Sequence, residues 1–99
     1  MLHIVNKSPF ENTALESCLR MARPGSAVLL IEDAVYAATR GNSLEHQVSQ
    51  ATDALELYAL VPDLEARGMK GAALDGVRLV DYGGFVDLVA AHDSVQSWL

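Results

Sequence analysis

Cysteine is almost missing from this chain. Cys18 is the only one, so no disulfide can close within the chain, and a reducing, cytoplasmic setting is the simplest expectation. Basic residues are also scarce: seven Lys and Arg stand against thirteen Asp and Glu, for a net charge of −6. No basic stripe exists, which argues against direct contact with nucleic acid or an anionic membrane. Long apolar runs are lacking too. Ala27 to Ile31 is only five residues, far short of a membrane span, and no charged segment with an apolar core opens the chain as a signal peptide would. Neither Asn6-Lys7-Ser8-Pro9 nor any other strand-to-helix turn carries a G-x-G-x-x-G or Walker pattern, and Gly83-Gly84 is an isolated pair. No nucleotide or flavin cofactor is expected. His3, His46 and His92 have no Cys or second His at ligand spacing, so no metal is expected. Ser8 and Ser17 have no evident base, which leaves no serine-hydrolase signature.

What is present is an alternation of apolar runs and helical stretches. Leu2, Ile4 and Val5 form a short run suited to a strand buried on both faces. Ser8-Pro9-Phe10-Glu11 reads as a helix start, with Ser8 as N-cap, Pro9 at the first helical position and Glu11 closing a capping box. The helix is expected from Pro9 to Ala22, favoured at its end by Arg20 and Arg23 and stopped by Pro24-Gly25. Ala27–Ile31 is a second strand, Ala34–Thr39 a short helix ended by Arg40-Gly41, and Asn42 or Ser43 caps another helix through Ala51. Leu55–Leu60 is a third strand, Pro62–Arg67 a short helix closed by Gly68, and Gly76–Val80 a fourth strand. Asp81 caps a last helix through His92, with Phe85, Leu88, Val89 and His92 on one stripe, and the tail adds an edge strand or packs Trp98 down. This order predicts an α/β fold with three layers, α/β/α, around a mostly parallel sheet of four to five strands, flavodoxin-like in kind. With no linker or repeat, residues 1–99 read as one domain. Fifty-one per cent hydrophobic residues are more than so small a globule readily hides, which points to an oligomer.

Two places can carry chemistry. In open α/β sheets ligands gather beyond the carboxyl ends of the strands. Those ends supply Asn6 and Lys7, Glu32 and Asp33, Val61, and Asp81 and Tyr82. Each has an ordinary loop or capping role, and together they can form a polar contact surface. The other place is Cys18, the only plausible nucleophile. It falls in the third turn of the expected helix, in the middle of an apolar arc with Ala14, Leu15, Met21 and Ala22. That position favours inert packing, and it lies too deep for the helix dipole to lower its pKa much. Arg20 points about 200° away around the helix and does not activate it.

The blocks Met1–Phe10, Leu15-Glu16-Ser17-Cys18-Leu19, Leu29–Ala38, Leu57–Leu60, Asp63–Gly68, Val80–Leu88 and Val95–Trp98 resemble, in order and over nearly the whole chain, the DsrH family, also called TusB. The resemblance implies a DsrE-like fold and a cytoplasmic sulfur relay that hands persulfide sulfur between cysteines. It serves either 2-thiolation of the tRNA wobble uridine or oxidative sulfur metabolism with dissimilatory sulfite reductase. It implies partners as well: DsrE/TusD-like and DsrF/TusC-like subunits in a heterohexamer with two copies of each, and a DsrC/TusE-like sulfur carrier. The main acceptor cysteine then belongs to the DsrE/TusD-like subunit. Members of the sulfur-oxidation branch carry a cysteine where Cys18 stands, making it a candidate persulfide site; a purely structural subunit is the alternative. Where the family commonly has glycine after the acidic pair, this chain has Ala34, whose methyl would be strained at positive φ.

Overall fold

Leu2, His3, Ile4 and Val5 lie opposite Ala27, Val28, Leu29 and Leu30 in a parallel ladder, and these two runs form the centre of the fold. The computed structural model describes residues 1–98. In chain order the elements are β1 (Leu2–Val5), α1 (Ala14–Met21), β2 (Ala27–Leu30), a 3₁₀ helix (Glu32–Ala38), α2 (Glu45–Ala51), β3 (Glu56–Leu60) and α3 (Val61–Ala66). A short 3₁₀ turn (Lys70–Ala72), β4 (Arg78–Val80), α4 (Tyr82–Ala91) and β5 (Val95–Trp98) follow. The five strands run parallel in the order β4-β3-β2-β1-β5. The three-layer α/β expectation holds, although this order differs from the 2-1-3-4-5 of flavodoxin.

The strand order dictates how the layers fill. The steps β1→β2→β3→β4 all go the same way across the sheet, so right-handed crossovers put their connections on one face. Leu15 and Cys18 of α1, Val35 of the 3₁₀ helix, Val48 of α2 and Leu64 of α3 accordingly share a buried cluster with Val5, Val28, Leu30, Leu57 and Ala59. The return from β4 past three strands to β5 goes the opposite way and so crosses the other face. There Phe85 and Leu88 of α4 pack on Leu2, Ala27 and Leu29. Four helical elements cover the front of the sheet and one covers the back. That helix is about 15 Å long and roughly 10 Å wide, set on a sheet whose outer strands are about 19 Å apart.

Local chemistry explains the element boundaries. Asp81 caps α4 as expected, its Oδ1 accepting from the Gly84 N–H at 2.8 Å. α1 begins at Ala14, not Pro9. The Ser8 hydroxyl does accept from the Phe10 N–H at 3.3 Å, and the Asn12 N–H reaches the Ser8 carbonyl at 3.1 Å, so one helical turn forms. It does not propagate, because Asn12 Oδ1 takes the Ala14 N–H at 2.7 Å, an Asx bond that competes with the helical ladder. The expected Glu11 side of a capping box is absent among the described residues, and Glu11 is exposed. Asn42 ends up before α2, holding the turn through Thr39 O at 2.8 Å and the Leu44 N–H at 2.8 Å. The tail forms β5, and Trp98 also packs on the front cluster. Of the expected stripe on α4, Phe85 and Leu88 face the sheet, Val89 is 38% exposed, and His92 bonds back to the Leu88 carbonyl at 2.8 Å.

Gly84 sets how closely α4 approaches β4. A Cβ there would sit 2.9 Å from Val80 Cβ and 3.3 Å from its Cγ1. Gly83 has only Asp81 Oδ1 nearby, at 3.4 Å. Gly84→Ala is expected to destabilise the fold by about 1–3 kcal/mol through overpacking. Gly83→Ala should instead be neutral or stabilising by up to about 1 kcal/mol from helix propensity. Urea unfolding of the two variants should place their midpoints on opposite sides of, or one below and one level with, the parent.

Candidate functional site

Cys18 is the fifth residue of α1, one turn after Leu15 on the same face. Both point into the front cluster against the sheet, and Cys18 is 0% exposed. Although α1 starts late, Cys18 is the fifth of its eight residues, past the first turn where the dipole would favour a thiolate. Burial decides its state. Desolvation of the charged form pushes the Cys18 pKa up to about 12, and no positive group acts against it. At neutral pH the thiol holds its proton. Three surface hollows of about 460, 400 and 350 Å³ open around the Pro9–Thr13 turn, beside Met1 and Met21, and between Arg40 and Asp75. Cys18 lines none of them. The helix face around it is closed by this chain's own sheet.

The carboxyl ends of the strands do bring their polar residues together, and several of these pair with one another, although Asn6 Oδ1 is buried without a hydrogen-bond partner. Glu32 has φ +50, a left-handed conformation that is uncommon for a side chain larger than glycine. It is held there from both sides: Asp63 Oδ2 accepts from the Glu32 N–H at 2.7 Å, and Asn6 Nδ2 donates to Glu32 Oε2 at 3.4 Å. The carboxylate of Asp63 thus meets the first N–H of the 3₁₀ helix, where negative charge is favoured. Ala34 lies within that helix with no positive φ and is fully buried, so its methyl is unstrained and the turn falls at Glu32. Arg67, the residue that follows α3, donates through Nη2 to Asp33 Oδ1 at 2.8 Å and through Nη1 to the Asp63 carbonyl at 3.0 Å. It also lies 5.9 Å from the Tyr36 ring centre. The hydrogen bond to Asp33 raises the Arg67 pKa further. Asp33, Asp63 and Arg67 thus clamp the 3₁₀ helix to α3. Asp81 is engaged in capping, and Lys7 and Tyr82 are exposed. Sequence reading did not single out Asp63 or Arg67 as partners of this set; they come from an element thirty residues away.

The three histidines lie apart, in β1, in α2 and after α4, and no group of three His, Cys, Asp or Glu able to hold a metal occurs among the described residues. No helix among them is long and apolar enough to cross a membrane.

The outer side of α4 is the feature that sequence reading passed over. Tyr82 is 62% exposed, Val86 66% and Val89 38%. Among the described residues, five of the eight exposed large hydrophobics fall between Leu79 and Val95, so the exposed apolar surface is concentrated on one segment. The signal was present in the sequence: Tyr82–Ala91 has one charged residue, Asp87, in ten. A helix without a polar face is ordinarily covered, yet none of its residues is buried.

Cys18 should behave as a packed side chain. Alkylation by iodoacetamide at pH 8 is expected to be at least ~100-fold slower for the folded protein than in urea, because reaction requires opening of the core. The unfolded thiol ionises from its ordinary 9.0 upward, whereas the folded one holds its proton to about 12. The unfolded state therefore binds fewer protons above pH 9, and stability falls as pH rises through this window, by up to about 1.4 kcal/mol per pH unit. Urea midpoints between pH 8 and 11 check this, and the decline should vanish in Cys18→Ala.

The family described as DsrH like protein matches residues 7–95. The chain is 38% identical over 98 residues to Protein TusB of Pectobacterium parmentieri and 37% identical over 98 residues to Protein TusB of Escherichia coli K12. Each match covers 99% of this chain and 100% of the relative. Among solved structures, the ychN protein of Escherichia coli superposes with a TM-score of 0.82 at 21% identity, covering 97% of each chain. A protein of unknown function from Methanobacterium thermoautotrophicum gives a TM-score of 0.74 at 21% identity, covering 97% of this chain and 95% of the other. At that identity the two structures speak for the fold alone. The full-length sequence matches go further, and on them this chain belongs to the DsrH/TusB family.

Proposed function

We propose that this chain is the assembly subunit of a cytoplasmic sulfur relay, acting as a single domain that docks sister subunits and carries no sulfur itself. The observation that carries the reading is the pairing of a buried thiol with an uncovered apolar helix. A relay step occurs when an acceptor thiolate attacks the outer sulfur of a donor persulfide, forming a new S–S bond and releasing the donor thiolate. That step needs an accessible, ionised sulfur, and Cys18 is neither. The outer face of α4 has what a subunit needs: Tyr82, Val86 and Val89 exposed at the centre of a nearly uncharged helix.

On this reading α4 is where a DsrE/TusD-like or DsrF/TusC-like subunit seats, within the heterohexamer that the family resemblance implies. The acceptor cysteine then lies on the DsrE/TusD-like subunit, and a DsrC/TusE-like carrier exchanges sulfur there. Relatives called Protein TusB support 2-thiolation of the tRNA wobble uridine as the branch. Cys18, which leaned toward the sulfur-oxidation branch, is packed away and offers no chemistry in its favour. The acidic chain suits a subunit that does not meet the tRNA.

Co-expression with the sister subunits tests the proposal. Val86→Asp should weaken assembly by at least ~30-fold, as expected of a central interface anchor, while its urea midpoint stays near the parent's. Cys18→Ala should leave both the complex and the sulfur flux intact. Full co-purification of Val86→Asp would overturn the assembly role of α4. Loss of flux in an assembled Cys18→Ala complex would restore the carrier reading.

A further inference from the structure

β5 is an edge strand. It pairs with β1 alone, from Leu2 opposite Val95 to Val5 opposite Trp98. Val95, Gln96 and Ser97 are exposed, and only Trp98 reaches the front cluster. A polar contact pins that one anchor: the Trp98 indole Nε1–H donates to Nδ1 of His3 at 3.0 Å. The two rings are 6.0 Å apart and inclined by 45°. His3 projects from β1 and is 6% exposed.

An indole N–H can only donate. Nδ1 of His3 must therefore be bare, and the neutral ring carries its proton on Nε2. A protonated imidazole has N–H groups at both nitrogens and would set donor against donor. We propose that the His3–Trp98 pair is an acid-released latch: neutral His3 fastens β5 to the sheet, and protonation of His3 breaks the bond and frees the C-terminal strand.

The surroundings of His3 suit this role. It lines a cavity of about 400 Å³ with Met1, Met21, Arg23 and Ser26, which gives a proton a way in. The charged groups that line it are cations, the amino group of Met1 just before β1 and Arg23 on the loop after α1. From β2 its register partner is the apolar Val28. From β5 it meets Gln96 in register and Trp98. No carboxylate lines the cavity to favour the charged ring. Burial first, and the amino group's charge second, hold the His3 pKa below 6.5. The unfolded chain takes up this proton from about 6.5 downward, the folded chain only at lower pH. The contribution of the latch is therefore complete above pH 6.5 and is lost as pH falls through the folded value.

Trp98 is the chain's single tryptophan, so its fluorescence reports the latch directly. As pH falls from 8 the emission should shift to the red in one step with a midpoint below 6.5. Over the same step amide exchange at Val95–Trp98, corrected for its intrinsic pH dependence, should quicken roughly tenfold relative to β2, the loss expected for one hydrogen bond. His3→Asn keeps an acceptor where Nδ1 stands and cannot titrate, so both readouts should be flat. A second variant, Trp98→Phe, removes the donor; the His3 pKa, read by NMR, should then move up toward 6.5. Either a wild-type strand that shows no step while His3 titrates, or a step that survives in His3→Asn, overturns the latch. If His3→Asn does not fold, an unmoved His3 pKa in Trp98→Phe overturns it equally.

Discussion

Right-handed crossovers oblige the three steps from β1 to β4, all taken in one direction, to run over a single face of the sheet. They oblige the return to β5 to run over the other. A parallel sheet needs both faces covered, and this chain supplies four helical elements to one and a single ten-residue helix to the other. The crowded face becomes a closed core. The sparse face depends on α4, which is apolar on the side it gives to the sheet and on the side it gives to solvent. The asymmetry between a finished face and an unfinished one follows from chain direction and chirality, and the functional reading rests on it.

The fate of the thiol follows from the same asymmetry. α1 connects β1 to β2 and so belongs to the crowded side, where Cys18 meets Val5, Val28 and Leu30 in one cluster. The helix N-terminus has no leverage on a sulfur beyond the first turn, and desolvation of the charged form alone raises the pKa, to about 12. The polar rim at the carboxyl ends shows the converse case. Asp33, Asp63 and Arg67 stay near water and become useful structurally because they satisfy one another and the start of the 3₁₀ helix.

Signals confined to a few neighbouring residues were legible in the sequence. Asp81 as a cap, Pro24-Gly25 as a stop and the first four strands came from short-range chemistry and patterning. The start of α1 was misread because Ser8 and Pro9 do begin a turn, and the interruption lies in Asn12, whose side chain outcompetes the backbone for the Ala14 N–H. The strained turn at Glu32 could not be read at all, since what stabilises it comes from Asn6 and Asp63 in other elements. His3 looked like a stray histidine until β5 brought Trp98 to it across ninety-five positions.

By itself the sequence determined the alternation of strand and helix, the parallel α/β class, the family blocks and the apolar arc on which Cys18 sits, because each is a property of local composition and period. Tertiary structure alone decided that this arc is closed by the chain's own sheet, that the acidic rim is internally paired, and that α4 is left half uncovered. Those outcomes depend on which distant surfaces meet, and strand order and crossover hand govern that where local period does not.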